Sequence, residues 1–236
     1  MKMNSENGAG TLLLLADYKL ERWVRSSSPD YSPTSPQDPN WKQLTQYAAY
    51  HSINDWYTQP LKYRTFRTLT ESFERRLTNK VHKFGSAEFY EDVKRIVVAH
   101  LYGALTEGNG ADRPLMLFEN ANVWIQELDF GLSMIIQVLE PAKRSFVIHK
   151  YVMEACEAVV ELIFHMTVVF CHEAFGMLPE RLQVFNMMSG KRHIMLAHDP
   201  DVSKSMDYLR LVKDVYLESR ICPCCAEELG RGRYVM

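Results

Sequence analysis

The sequence carries no P-loop, no dinucleotide-binding glycine fingerprint, no Gly-x-Ser-x-Gly elbow and no His-Glu-x-x-His helix. These absences remove the motif-borne routes to phosphoryl transfer, hydride transfer, serine hydrolysis and zinc proteolysis. They leave catalysis by residues scattered along the chain untouched. There is no convincing run of alternating apolar and polar residues, and no Asn-Gly pair set between two such runs, so nothing announces a β-hairpin. No repeat and no long heptad register are present. An excess of basic charge is also missing: the net charge is −2 over 236 residues, which argues against a globally basic nucleic-acid binder while leaving room for a local basic face.

The apolar run 12–15 is followed at once by Asp17, Lys19, Glu21 and Arg22, which is no signal-peptide core. Five cysteines, an odd number, then suit thiols or metal ligands in a reducing compartment better than a disulfide frame. The expected location is intracellular, cytoplasm or nucleus. The stretch 151–175 is apolar but interrupted by Glu154, Glu157, Glu161, His165, His172 and Glu173, each costly in hydrocarbon, so no membrane insertion is expected.

Composition is that of a globular protein, 47% hydrophobic and 24% charged, and one segment departs from it. Residues 26–40 hold four prolines and five serines and no aliphatic side chain, which forbids a helix and favours extended backbone. The expected organisation is an N-terminal helical segment, 1–25, a Ser/Pro-rich linker, 26–40, and a helical domain, 41–236.

Three- and four-residue apolar spacing predicts about eight helices and an all-α fold. Thr11 caps the first, to about Arg25, and a second covers 41–57. Phe66, Leu69, Phe73, Leu77 and Val81 mark a third. Ser86 caps a fourth, with its face on Phe89, Val93, Val97 and Leu101. A fifth is placed at 120–140, where Gln126, Asp129, Ser133, Gln137 and Glu140 form a polar stripe. The sixth and longest runs 145–175 to Gly176, a short one follows Pro179, and the last covers 203–219.

Four constellations carry chemistry. Cys222-Pro223-Cys224-Cys225 lies some two dozen residues after His193 and His198. Read as His-x4-His with Cys-x-x-Cys, residues His193, His198, Cys222 and Cys225 make a tetrahedral ligand set whose natural occupant is a structural Zn, stapling the C-terminus to the body. Locally, 222–229 resembles the knuckle of zinc ribbons, departing from it at Ala226, where that motif has glycine, and lacking the second Cys-x-x-Cys.

The segment 62–83 presents Lys62, Arg64, Arg67, Arg75, Arg76, Lys80 and Lys83 against Glu71 and Glu74, a face for nucleic acid or an acidic protein partner. On the long helix, Glu154, Glu157, Glu161, His165 and His172 fall in one angular sector. They read as a solvated stripe or as a metal-dependent site centred on Glu161, His165 and His172. In the linker, Tyr31-Ser32-Pro33-Thr34-Ser35-Pro36-Gln37 resembles one heptad of the RNA polymerase II tail, departing at its last position. Ser28, Ser32 and Ser35 each precede proline and are candidate phosphorylation sites. His100 reads as a satisfied core histidine, and Cys156 and Cys171 as small buried hydrophobes.

The functional expectation is a non-enzymatic regulatory or adaptor protein acting through protein–protein binding. A nucleic-acid-binding protein using 62–83 is the first alternative, and the metal-dependent enzyme is the second.

Overall fold

Phe130–Pro141 is a strand, and it organises everything around it. The structure, a computed structural model, describes residues 13–26, 38–107 and 113–221. In chain order these form β1 (Leu14–Ala16), α1 (Asp17–Ser26), α2 (Trp41–Thr58), α3 (Phe66–Arg76), α4 (Ala87–Thr106), β2 (Met116–Ile125), β3 (Phe130–Pro141), β4 (Phe146–Val152), α5 (Glu157–Phe175), β5 (Arg181–Asn186), β6 (Arg192–Met195) and α6 (Asp199–Ile221).

The all-α expectation of about eight helices is wrong. Among the described residues there are six α-helices and one six-stranded mixed sheet. The helix placed at 120–140 is the hairpin of β2 and β3, turned at Asp129 in the left-handed region, φ 50°. The long helix begins at Glu157; its expected first part is β4, and the helix placed after Pro179 is β5.

Burial on both faces explains the misreading. Ten of the twelve residues of β3 and all seven of β4 are buried, so neither strand alternates apolar with polar. The polar stripe assigned to a helix is in fact three enclosed β3 side chains, Ser133, Gln137 and Glu140, and two turn residues.

β2 runs antiparallel along one edge of β3. The other edge is shared. β1 pairs in parallel with 131–133 and β4 antiparallel with 138–141. The crossover α5 returns the chain so that β5 lies parallel to β4, and β6 closes the sheet antiparallel to β5.

Helices cover both faces of the sheet. One core joins Leu20 of α1, Val159, Leu162, Ile163, Met166 and Phe170 of α5, and Met206, Leu209 and Val212 of α6 to Leu132, Met134, Ile136 and Ile148. The second joins Ala49 and Ile53 of α2, Phe73 of α3 and Val97 and Leu101 of α4 to Val138, Tyr151 and Phe185. The expected N-terminal segment therefore contributes α1 to the main core. By length and composition α5 passes for a membrane span, yet it lies here between the sheet and α6, with its apolar side chains buried.

The first helix begins later than expected, at Asp17, because Leu14–Ala16 pairs with β3 as β1, and the Thr11 cap lies outside the described residues. The other helices sit close to expectation because their signals are local. Asn40 caps α2 through the Gln43 N–H, and Ser86 caps α4 through the Phe89 N–H. Gly176, in the left-handed region, closes α5.

Candidate functional site

Where β1 ends and β4 has not yet begun, residues 134–137 of β3 have no strand beside them on that edge. Side chains fill the gap. Asp17 Oδ2, at the start of α1, accepts from the Ile135 N–H at 3.2 Å and from Lys150 Nζ at 2.8 Å. Glu21 Oε1, one turn along α1, stands 3.1 Å from the same ammonium, close enough for charge attraction although its angle makes no hydrogen bond. Gln137 continues the bridge: its Oε1 accepts from the Tyr151 N–H, and its Nε2 donates to the Tyr50 hydroxyl.

Lys150 is a buried cation. Burial alone would push its ammonium down, but Glu21 and Asp17 outweigh that and hold it above the usual lysine range. A second buried network lies on the opposite side of the sheet. Glu140 accepts from the Tyr57 hydroxyl at 2.8 Å and from His149 Nε2–H at 3.2 Å. Burial raises the Glu140 carboxyl, His149 and Tyr57 lower it, and the net shift is downward.

The titratable groups that meet at a concavity lie elsewhere, between α5, β6 and α6. It has a volume of about 400 Å3, with Glu157, Glu161 and His165 on one wall and Lys191, His193 and Lys204 on the others. Val160, Phe164 and Met195 give it an apolar floor. His165 is buried, shares a 2.8 Å hydrogen bond through Nδ1 with the fully enclosed Ser205 Oγ, and stacks on Tyr208 at 4.2 Å. Its Nε2 lies 3.9 Å from Glu161 Oε1, too far for a hydrogen bond.

Burial pushes the His165 imidazole down against the pull of Glu161. Burial and the neighbouring Lys191 do the same at His193. Both shifts favour the neutral ring, which has a nitrogen lone pair available.

The residues singled out from sequence distribute unevenly over this frame. Glu161 and His165 do line one site, joined by His193. His172 does not: it is exposed at the far end of α5, 3.0 Å from Glu173. His193 lies on β6 and His198 just before α6, whereas Cys222 and Cys225 lie outside the described residues. The 23 residues of α6 follow His198 in the chain. Among the described residues no group of three or more His, Cys, Asp or Glu side chains gathers to hold a metal ion. Ser28, Ser32 and Ser35 also lie outside the described residues.

The basic segment is a short helix flanked by single turns, and its cations are mostly engaged. Arg64 donates to the carbonyls of Gln59 and Tyr57 and lies over the Tyr57 ring. Arg67 pairs with Glu71 at 2.8 Å, Arg75 with Asp55 at 3.5 Å, and Lys83 with Asp38. Arg76 and Lys80 are exposed, and Lys62 lies 4.8 Å over Tyr63. In the same segment Leu61, Tyr63 and Phe66 are 52%, 52% and 47% exposed.

No family model matches the sequence, and no curated relative matches it. Among solved structures the chain is similar to a Eubacterium rectale protein named "putative exonuclease", at 9% identity and a TM-score of 0.35. The match covers 87% of this chain and 96% of that one. A likeness of that size carries no argument about fold or function.

The Asp17–Lys150–Glu21 cluster is not legible in the sequence, because Lys150 falls in the span 145–175 that the apolar spacing makes a helix and lies 133 positions from Asp17. Sequence spacing puts His193 and the pair Glu161 and His165 in separate sites. His100 bears out its reading, with Nδ1 2.9 Å from the Met187 carbonyl. Cys171 is buried as expected, whereas Cys156 is exposed at the cap of α5.

Proposed function

We propose that the protein works as a regulatory or adaptor module that docks an acidic protein segment through the surface of Leu61, Tyr63 and Phe66. The observation that carries this reading is the exposure of those three large apolar side chains within six positions of the chain, with Lys62 between two of them and Arg76 and Lys80 exposed further along the same segment. A monomer gains little from leaving such groups in water, and tyrosine and arginine are the residue types that most often dominate a protein interface. The basic rim selects a partner whose aliphatic or aromatic anchors are flanked by Asp or Glu. The Ser-Pro segment, with Ser28, Ser32 and Ser35, supplies a modifiable arm on this reading.

The nucleic-acid alternative is weakened by the pairing of Arg67, Arg75 and Lys83 with carboxylates. Glu71 and Glu74 also line a concavity of about 600 Å3 on the same side. The metal-enzyme alternative loses His172 from its centre.

Selection of peptides from a random library on the full chain tests the proposal. Acidic peptides with apolar anchors are expected, and their affinity should fall about tenfold or more with Tyr63→Ala and Phe66→Ala. Selected peptides indifferent to both substitutions would reject the docking surface. Single-stranded RNA bound in a steeply salt-dependent manner, and released by charge reversal at Arg75 and Arg76, would replace it with the nucleic-acid reading.

A further inference from the structure

We infer that the concavity between α5, β6 and α6 is a binding site for a small amphipathic zwitterion, an α-amino acid or a close derivative of one. The site is independent of the docking surface proposed above.

The argument begins with charge. Lys191 and Lys204 contribute two positive groups and Glu157 and Glu161 two negative ones, all exposed and all lining one space of about 400 Å3. Among the described residues none of the four forms an ion pair within 4 Å with a charged partner. Glu161 approaches only the His165 ring, at 3.9 Å. Other surface charges do pair, as in Lys42 with Glu154, Arg192 with Glu107 and Arg210 with Glu127. Four charges of balanced sign around one concavity, none neutralised by another, match a ligand that brings both signs itself.

A ligand of one sign fits poorly. An anion drawn to Lys191 or Lys204 meets Glu157 and Glu161, and a cation meets the reverse. The two histidines do not tip the balance, because burial favours the neutral form of each. They add hydrogen-bonding atoms on opposite walls, and His165 is held rigidly by Ser205 and Tyr208. Among the described residues no three ligating side chains converge on one point, so the lining itself does not select a metal ion. The floor of Val160, Phe164 and Met195 is apolar and offers a place for an aliphatic side chain. Carboxylate to lysine, ammonium to glutamate and side chain to the floor then use both signs of charge and the apolar residues, in a volume typical of small-molecule sites.

Calorimetric titration of the full chain with each of the common L-amino acids tests the inference. At least one is expected to bind saturably with a dissociation constant below about 1 mM. Its deaminated and decarboxylated analogues should each bind about tenfold or more weakly, as should the parent amino acid to Glu161→Gln and Lys204→Met. Both substituted positions are exposed, so unchanged melting temperatures are expected to accompany the loss, and Lys191→Met provides an independent reading from another element. Absence of binding below about 1 mM, analogues that bind as well as the parent, or variants with undiminished affinity would each overturn the site. Tyr63→Ala should leave this titration unchanged, which keeps its outcome separate from that of the docking surface.

Discussion

Asp17 and Lys150, 133 positions apart in the sequence, meet at 2.8 Å in the gap on the edge of β3. One carboxylate oxygen serves two donors there, a buried ammonium and the backbone N–H of Ile135. The ion pair thus substitutes for a missing strand, locking α1, β3 and β4 to one another.

Removing the cation from this cluster leaves two enclosed carboxylates without a counter-charge. Lys150→Met is expected to destabilise the fold by roughly 3–5 kcal/mol, read as a lowered urea midpoint. Combining it with Asp17→Asn and Glu21→Gln should recover part of that loss. A triple variant no more stable than Lys150→Met alone would show that uncompensated charge is not the cause.

The Glu140 network makes a smaller claim. Tyr57→Phe deletes the hydroxyl that donates to Glu140 Oε1 and leaves that buried oxygen short of a partner. A loss of about 1–3 kcal/mol in denaturant unfolding is expected. Val138 and Tyr151, nearby in the same core, should keep their packing.

Acid sensitivity follows from His165. Its folded-state value is depressed by burial, with Glu161 and Asp201 opposing that shift and Lys204 adding to it. Across the interval between the depressed value and the ordinary one, near 6.5, the unfolded chain binds the proton and the folded one does not. Stability is therefore full above about pH 6.5 and falls as the pH drops through that interval. His165→Gln should flatten the dependence between about pH 7 and 5.5, measured as melting temperature against pH. An unaltered slope would mean that the ring is not enclosed as described.

Gly190 stands at φ +70°, and a Cβ there would lie 3.0 Å from the His100 ring. Gly190→Ala therefore adds backbone strain to a clash with a ring already tied to the Met187 carbonyl. A cost of about 1–3 kcal/mol is expected in thermal or urea unfolding. The turn between β5 and β6, which carries Lys191 into the concavity, should loosen with it.

Zinc remains an expectation for the cysteine-rich C-terminus. If His193, His198, Cys222 and Cys225 share one ion, substituting the two histidines together by alanine should lower the zinc content of the purified chain about as much as substituting Cys222 and Cys225 by serine. Unchanged content in the histidine double variant would show that the histidines do not hold the metal.

Local signals were legible in the sequence. Asn40 and Ser86 as caps, Gly176 as a stop, and the amphipathic faces of α2, α3, α4 and α6 all depend on residues within a few positions of one another, where helical hydrogen bonds form. The apolar character of 130–141 and 146–152 was equally plain, but its meaning was not. A strand enclosed on both faces has the same composition as a buried helix, and only its neighbours decide between them. Pairing of β3 with β2, β1 and β4 is a relationship between distant segments, as are Lys150 with Asp17 and His193 with Glu161 and His165. Residue types and periodicity therefore determined which segments are buried and where helices are capped. Tertiary structure alone decided that the chain is a mixed α/β sandwich, and which charges are consumed inside it and which line a concavity open to a ligand.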